Sequence, residues 1–218
     1  MAAITWHNDG DKVYETGVSN GALYVMEDGV YGGAIAWNGL TSVSQSPEGA
    51  EANDIYADNV KYLSLVSAET FKATIEAYTY PDAFAECDGS VSIANGVRIG
   101  QQKRKTFAFS YITKKGDETG KEWRVLHVIY GCKAAPSERS YETVNDSPEA
   151  ITFSWEINTT GVKYVDGDTT YYGICHIEID ENTVTTNKFK KILDAIHDDT
   201  TGGENIAPDM IIAAMNAQ

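Results

Sequence analysis

The chain has 218 residues, of which 42% are hydrophobic, 11% aromatic and 22% charged. This balance is typical of a globular chain that buries a sizeable core, and all-β domains of about 200–250 residues are common, so a single domain over residues 1–218 is predicted. The formal charge of −15 disfavours tight binding to nucleic acid or anionic lipid. The sequence also lacks a long apolar run and a basic, apolar leader, so we expect neither a membrane anchor nor a signal peptide.

Four turns predict β-hairpins. Asp28-Gly29, Asn95-Gly96 and Asp166-Gly167 each lie between runs of strand-forming residues, and the polar segment Lys114–Lys121 separates two further runs. Asp-Gly and Asn-Gly pairs tolerate the positive φ angles that two-residue hairpin turns require. The number of such turns favours antiparallel sheets.

Three segments alternate apolar and polar residues with the strand period of two: residues 71–77, 151–157 and 175–179. Strands of this kind bury only one face. By contrast, Trp123–Tyr130 is apolar on both faces, which is typical of a central strand with a packed layer on each side. The chain is therefore predicted to be mainly β.

Helix signals are few. Phe189, Ile192, Leu193 and Ile196 keep the spacing of one helical face after capping candidates, which predicts an amphipathic helix over residues 187–198 that packs on a sheet. Shorter helices are predicted near Pro81–Glu86 and Pro208–Met215, the second within a C-terminal extension over residues 203–218.

Two segments resemble long loops. Thr41–Asn59 is rich in Ser, Asn, Asp, Gly, Pro and Glu and shows little periodicity, and Lys133–Glu149 contains two prolines. Loops beyond about 12–15 residues are uncommon in compact domains unless they are functional or disordered. Residues 41–59 are therefore predicted to be a long inter-subunit loop.

No motif indicates catalysis or a bound cofactor. Gly116–Glu122 differs from a phosphate-binding loop, because three residues instead of four separate its glycines and Glu122 replaces the metal-binding hydroxyl. The four histidines lack zinc-site spacing, the three cysteines form no CxxC pair, and no GxSxG elbow is present. We expect no catalytic residues, no cofactor, no metal site and reduced, buried cysteines.

The densest positive cluster is Lys103-Arg104-Lys105. It could contact nucleic acid, but in so acidic a chain a solvated rim, or a patch that forms salt bridges to a neighbour's carboxylates, is favoured. The aromatic residues leave a similar choice open. Trp37, Trp123 and the tyrosines suit a sugar-stacking groove, and tyrosine is also enriched at subunit interfaces.

Several stretches resemble the major tail proteins of long, non-contractile-tailed bacteriophages. They run in order from about residue 12 to about residue 158: Tyr14-Glu-Thr-Gly-Val18, Ala36-Trp-Asn-Gly-Leu-Thr-Ser-Val43, Ile55-Tyr-Ala-Asp-Asn-Val-Lys-Tyr62, Glu76-Ala-Tyr-Thr-Tyr-Pro81, Ile99-Gly-Gln-Gln102, Leu126-His-Val-Ile-Tyr130 and Asn145-Asp-Ser-Pro-Glu-Ala-Ile151. Each motif is short, but seven in register are specific.

The resemblance implies a two-sheet antiparallel β-sandwich of the phage tail tube type, with a flanking α-helix and a long assembly loop. It implies hexameric rings that stack into a conduit for double-stranded DNA, tape measure and tail terminator proteins as partners, a place in the virion tail, and assembly in the host cytoplasm. It brings no cofactor and no catalytic residue. The alternative interpretation is a virion adhesion or carbohydrate-binding module.

Residues expected at subunit contacts lie near the predicted loop, in the basic cluster and in the C-terminal extension. They are Trp37, Ser46, Pro47, Glu48, Asp54, Tyr56, Lys103, Arg104, Lys105, Ile211 and Met215. Because an acidic wall repels the DNA backbone and lets it slide, the lumen is expected to be net negative.

Overall fold

The computed structural model describes residues 10–67, 69–141, 143, 150–197 and 206–216. Its strands are β1 Val13–Glu27, β2 Val30–Tyr31, β3 Ile35–Trp37, β4 Leu40–Glu48, β5 Ala52–Ala57, β6 Val60–Val66, β7 Thr70–Ala77, β8 Val91–Ala94, β9 Val97–Ile99, β10 Phe107–Asp117, β11 Glu122–Ala134, β12 Phe153–Thr159, β13 Val162–Asp166, β14 Thr169–Ile174 and β15 His176–Asp180. The helices are α1 Phe84–Cys87, α2 Glu181–Val184, α3 Thr186–Ile196 and α4 Pro208–Asn216. This content confirms the mainly β class.

Most strands join one antiparallel path in the order β2-β1-β10-β11-β12-β7-β4, with β3 also paired to β1 and β15 to β11. The path folds over on itself, so that β12, β7 and β4 form one layer and β1, β10, β11 and β15 form the other. Three hairpins, β5–β6, β8–β9 and β13–β14, stand outside this path as separate two-stranded sheets. The predicted antiparallel sandwich is confirmed.

The first core lies between the two layers. Ala73 and Ile75 of β7 and Trp155 of β12 pack against side chains of β1 and β10, including Leu23 and Phe109. Aromatic rings that meet edge to face add stability beyond the area they bury. The core therefore fixes how the two sheets are stacked.

The second core lies on the opposite face of β1, β10, β11 and β15, beneath the helices. Leu126, Val128 and Tyr130 of β11 pack there with Phe189 and Ile192 of α3. This arrangement explains why β11 is apolar on both faces, as predicted. The amphipathic helix is also confirmed, although it spans Thr186–Ile196 instead of 187–198, and residue 198 lies outside the described residues.

Gly131 allows β11 to belong to both sheets. On one edge, β11 pairs with β15 before this glycine and with β12 after it. Gly131 has a φ of +60°, and a Cβ there would lie 1.9 Å from the carbonyl oxygen of Thr160. Only glycine fits such a close backbone approach, so the corner of the sandwich depends on it.

All four predicted hairpin turns are confirmed: β1–β2, β8–β9, β10–β11 and β13–β14 are antiparallel neighbours. Alternation is confirmed in β7 and in β12, where Trp155 and Ile157 are buried, but Ile151 lies before the strand and is exposed. The short helix α1 begins at Phe84, later than expected, and α4 occupies the predicted C-terminal helix. Residues 203–205 and 217–218 of the predicted extension lie outside the described residues.

The predicted long loop over Thr41–Asn59 is wrong. Its residues form most of β4, all of β5 and the turn into β6. β4 is an outer strand held by backbone pairing to β7 from Leu40 to Glu48. An outer strand tolerates polar side chains, and these made the segment resemble a loop in sequence. The turn Asp58-Asn59 has positive φ at both residues without any glycine. The second predicted loop, Lys133–Glu149, begins inside β11, and residues 142 and 144–149 lie outside the described residues.

Candidate assembly surfaces

The hairpin β5–β6 is exposed along its whole length, and we call residues 52–66 the arm hairpin. Every residue of both strands is exposed. Ile55 pairs with Leu63, and Leu65 lies on the same face of the hairpin. Asp54 pairs with Ser64 on the opposite face. Isolated two-stranded hairpins are marginally stable in water, and an uncovered aliphatic face is costly. The arm hairpin therefore has the properties of a surface that another molecule covers.

The polar face of the arm hairpin is held together internally. The Ser64 hydroxyl donates to Asp54 Oδ1 over 2.6 Å, and Lys61 Nζ lies 2.7 Å from the same carboxylate. These bonds join the two strands on the polar face. The aliphatic side chains on the other face belong to neither core cluster of the described residues.

A second exposed hairpin, β8–β9, is here called the basic hairpin (residues 91–99). Val91 pairs with Ile99 on one face, and Ser92 pairs with Arg98 on the other. Val97 and Ile99 share the first face because side chains two apart along a strand point the same way. Both strands are fully exposed, and no residue of this hairpin belongs to either core cluster of the described residues.

The third hairpin, β13–β14, carries tyrosines. Tyr164 and Tyr171 stack with ring centroids 6.0 Å apart, and Tyr172 is 79% exposed. Tyr171 and Tyr172 are thus exposed aromatic rings of the kind that contact surfaces use, whereas Tyr164 is half-buried. Trp123, one of the proposed sugar-stacking residues, is instead half-buried, and its indole nitrogen donates to Asp180 over 3.2 Å.

Two residues predicted at subunit contacts lie in the interior. Trp37 is 1% exposed, and its ring packs against Phe84, Phe109 and Trp155. Ile211 is 2% exposed and packs in the second core. Buried side chains cannot form an intermolecular contact, so these two predictions are wrong, and Trp37 is equally excluded as a sugar platform.

The other predicted contact residues have mixed surroundings. Ser46, Pro47 and Glu48 are exposed on the outer strand β4, where Glu48 lies 2.9 Å from Lys72. Asp54 and Tyr56 are exposed on the arm hairpin. Met215 is half-buried against the second core.

The basic cluster is largely neutralised within the subunit. Arg104 Nη1 donates to Asp88 Oδ1 over 3.0 Å and to the Ala134 carbonyl over 3.1 Å. Lys105 Nζ lies 2.9 Å from Glu27 and 2.5 Å from Glu86. Arg104 and Lys105 therefore pair with carboxylates of their own subunit, and a contact of this cluster with a neighbour's carboxylates stays a prediction. Lys103 alone of the three is exposed and has no ion pair with a described residue.

Replacing Arg104 with alanine is expected to lower the free energy of unfolding by about 1 kcal/mol, because the nearly buried Asp88 loses one of its two cationic partners and keeps Arg139. The matched variant Lys103→Ala is expected to leave stability unchanged. Urea denaturation of both variants measures the difference. Equal stabilities would mean that the Arg104 contacts contribute nothing.

Two histidines meet at the edge of the first core, a feature without any sequence signal. His127 Nδ1 lies 3.2 Å from His176 Nε2, with ring centroids 5.4 Å apart and ring planes 7° apart. The two nitrogens thus face each other nearly in line, a geometry in which one ring donates and the other must be an unprotonated acceptor. The side-chain nitrogen of Gln45 on β4 lies 3.2 Å from the same His176 nitrogen. This contact links the histidine pair to the opposite layer of the sandwich.

Burial lowers the pKa of His176 to about 4, helped by the neighbouring His127 and opposed by Glu178. Burial also lowers the pKa of His127, although Glu178 and Glu15 oppose the shift. Nearby, Lys115 Nζ lies 2.9 Å from Glu178, 3.6 Å from Asp180 and 3.7 Å from Glu15. One ammonium among three carboxylates leaves this face of the sandwich acidic.

The described residues hold no group of three or more His, Cys, Asp or Glu side chains placed to bind a metal ion. All three cysteines are free, and burial raises the pKa of the Cys87 thiol to about 12, so that thiol is not a ready nucleophile. No helix in the described part of the chain is long and apolar enough to cross a membrane.

A β-sandwich with amphipathic hairpins standing outside its cores is typical of structural proteins that associate with further copies. The family model described as "Phage tail tube protein" matches residues 29–201, so the chain belongs to the phage tail tube protein family. Family membership implies a structural component of the virion tail that assembles into a tube. No curated protein sequence shows significant similarity to the chain.

Proposed function

We propose that this protein is the subunit of hexameric rings that stack into the tail tube, and that double-stranded DNA passes through the tube during ejection. The observation that carries the proposal is the arm hairpin, whose aliphatic face is exposed and belongs to neither core cluster of the described residues. Family membership supports the same conclusion. The role is structural, without enzymatic activity.

Ring formation requires two different surfaces on each subunit, because a heterologous contact repeated around an axis closes into a ring. The sheet path ends at β4, whose second edge pairs with no other described strand. Open strand edges are ready to pair with another chain. We propose that Ser46, Pro47 and Glu48 on β4, with Asp54 and Tyr56 on the arm hairpin, lie at these contacts. Lys103 and Met215 are proposed as further contact residues.

The charge of the chain suits passage of DNA. Duplex DNA carries one phosphate per about 1.7 Å, and a lumen lined with cations would hold it tightly at low salt. We propose a net negative lumen, supported by the formal charge of −15 and by the acidic face around Lys115. Tape measure and tail terminator proteins are proposed as further partners, and assembly is proposed to occur in the host cytoplasm.

Electron microscopy of the concentrated protein is expected to show sixfold rings or stacked tubes, with a lumen wall richer in Asp and Glu than in Lys and Arg. A chain that stays monomeric under crowded conditions and binds host glycans would contradict the proposal and favour an adhesion module. A tube whose lumen is dominated by Lys and Arg would contradict only the charge hypothesis.

A further inference from the structure

We propose that the aliphatic face of the arm hairpin of one subunit packs on the aliphatic face of the basic hairpin of the next subunit. This inference rests on the proposed function and specifies which two surfaces of the chain meet. Its basis is that, among the described residues, the same chain exposes two amphipathic hairpins that belong to neither core cluster.

The two faces match in chemistry. The arm hairpin presents Ile55, Leu63 and Leu65, and the basic hairpin presents Val97 and Ile99 beside Val91. All of these side chains are between 36% and 54% exposed. Two such faces are expected to stack about 10 Å apart like the layers of a sandwich and to remove both aliphatic surfaces from water.

The surroundings of the two faces differ in charge. Exposed Glu51 precedes the arm hairpin and Asp58 lies at its turn, whereas exposed Lys103 follows the basic hairpin. Arg98 of the basic hairpin pairs with Asp82 over 2.8 Å, so it is neutralised within the subunit. Opposite charges around an interface favour one pairing and disfavour others. Arm to arm would bring Glu51 and Asp58 of both copies together, and the pairing of unlike hairpins avoids this.

The contact is heterologous, since each subunit uses a different surface toward each of its two neighbours. Association of this kind continues from copy to copy until a ring or a tube forms. Two short hairpins bury less area than a stable interface of about 1,200–2,000 Å² requires, so the contact acts together with the open strand edges. It determines which subunit surfaces meet.

The pairing is tested with two variants of the full chain. Leu63→Glu places a charge on the aliphatic face of the arm hairpin, and Ile99→Glu does the same on the basic hairpin. Each variant alone is expected to stay monomeric at concentrations where the wild type assembles. Mixed together, they keep one intact arm face and one intact basic face, so cross-linking followed by mass measurement is expected to give a 1:1 heterodimer and nothing larger.

A matched control, Ser92→Glu, adds the same charge to the opposite face of the basic hairpin. It is expected to assemble like the wild type, and unchanged melting temperatures for all three variants exclude unfolding. Normal assembly of Leu63→Glu or Ile99→Glu, or a mixture that gives no heterodimer, would overturn the pairing. A wild-type chain that never assembles would instead overturn the proposed function.

Discussion

Replacing Trp37 with alanine is expected to lower the free energy of unfolding by about 3–5 kcal/mol, the range measured for deleting a fully buried large aromatic side chain. Its ring centroid lies 4.4 Å from that of Phe84, 5.4 Å from Phe109 and 5.5 Å from Trp155, so truncation leaves a cavity bordered by three rings. The indole nitrogen also donates to the Thr79 carbonyl over 2.9 Å, and that bond is lost. Urea denaturation of dilute protein measures the change.

The matched control is Tyr172→Ala, which removes a large aromatic side chain that is 79% exposed. Its stability is expected to remain within about 0.5 kcal/mol of the wild type. A Trp37→Ala variant that is as stable as the wild type but no longer assembles would contradict the core assignment and restore the subunit contact expected from the sequence.

Local chemistry made much of the fold predictable. Asp28-Gly29, Asn95-Gly96 and Asp166-Gly167 each specify a hairpin because their backbone geometry is available to few other residue pairs. The stripe of α3 and the two apolar faces of β11 follow from periodicity alone. Each of these features depends on residues close together in the chain.

The features that were missed depend on long-range pairing or on weak local signals. The arm hairpin turns at Asp58-Asn59, which lacks glycine, and its polar face carries Asp54, Lys61 and Ser64. Trp37 lies beside this polar region in sequence, but rings from α1, β10 and β12, all distant along the chain, enclose it. The arm hairpin contributes no residue to either core cluster. A segment whose own subunit does not bury its apolar residues resembles a loop in composition.

The histidine pair shows the same limit. His127 and His176 are diagonal neighbours across β11 and β15, and only the sheet register brings them together. The groups that face them are Tyr111 and Lys115 of β10, Glu15 of β1, Glu178 of β15 and Gln45 of β4. The amide nitrogen of Gln45 can only donate, so His176 Nε2 is the acceptor, and a proton on that atom removes the acceptor that joins β4 to the pair.

Acidification is therefore expected to destabilise the wild type through His176. Its pKa falls from 6.5 to about 4 on folding, so the unfolded chain binds the proton more readily. The stabilising contribution is complete above pH 6.5 and is lost progressively as the pH falls toward 4; after allowance for partial exposure of the ring it amounts to about 2 kcal/mol.

In His176→Phe, which keeps a ring beside Phe71, unfolding free energies at pH 7 and pH 4 are expected to differ by about 2 kcal/mol less than in the wild type. Tyr172→Phe, a matched change at an exposed ring on β14, should retain the wild-type pH dependence. Identical pH dependence in His176→Phe and the wild type would show that the pair does not couple protonation to the packing of the two sheets.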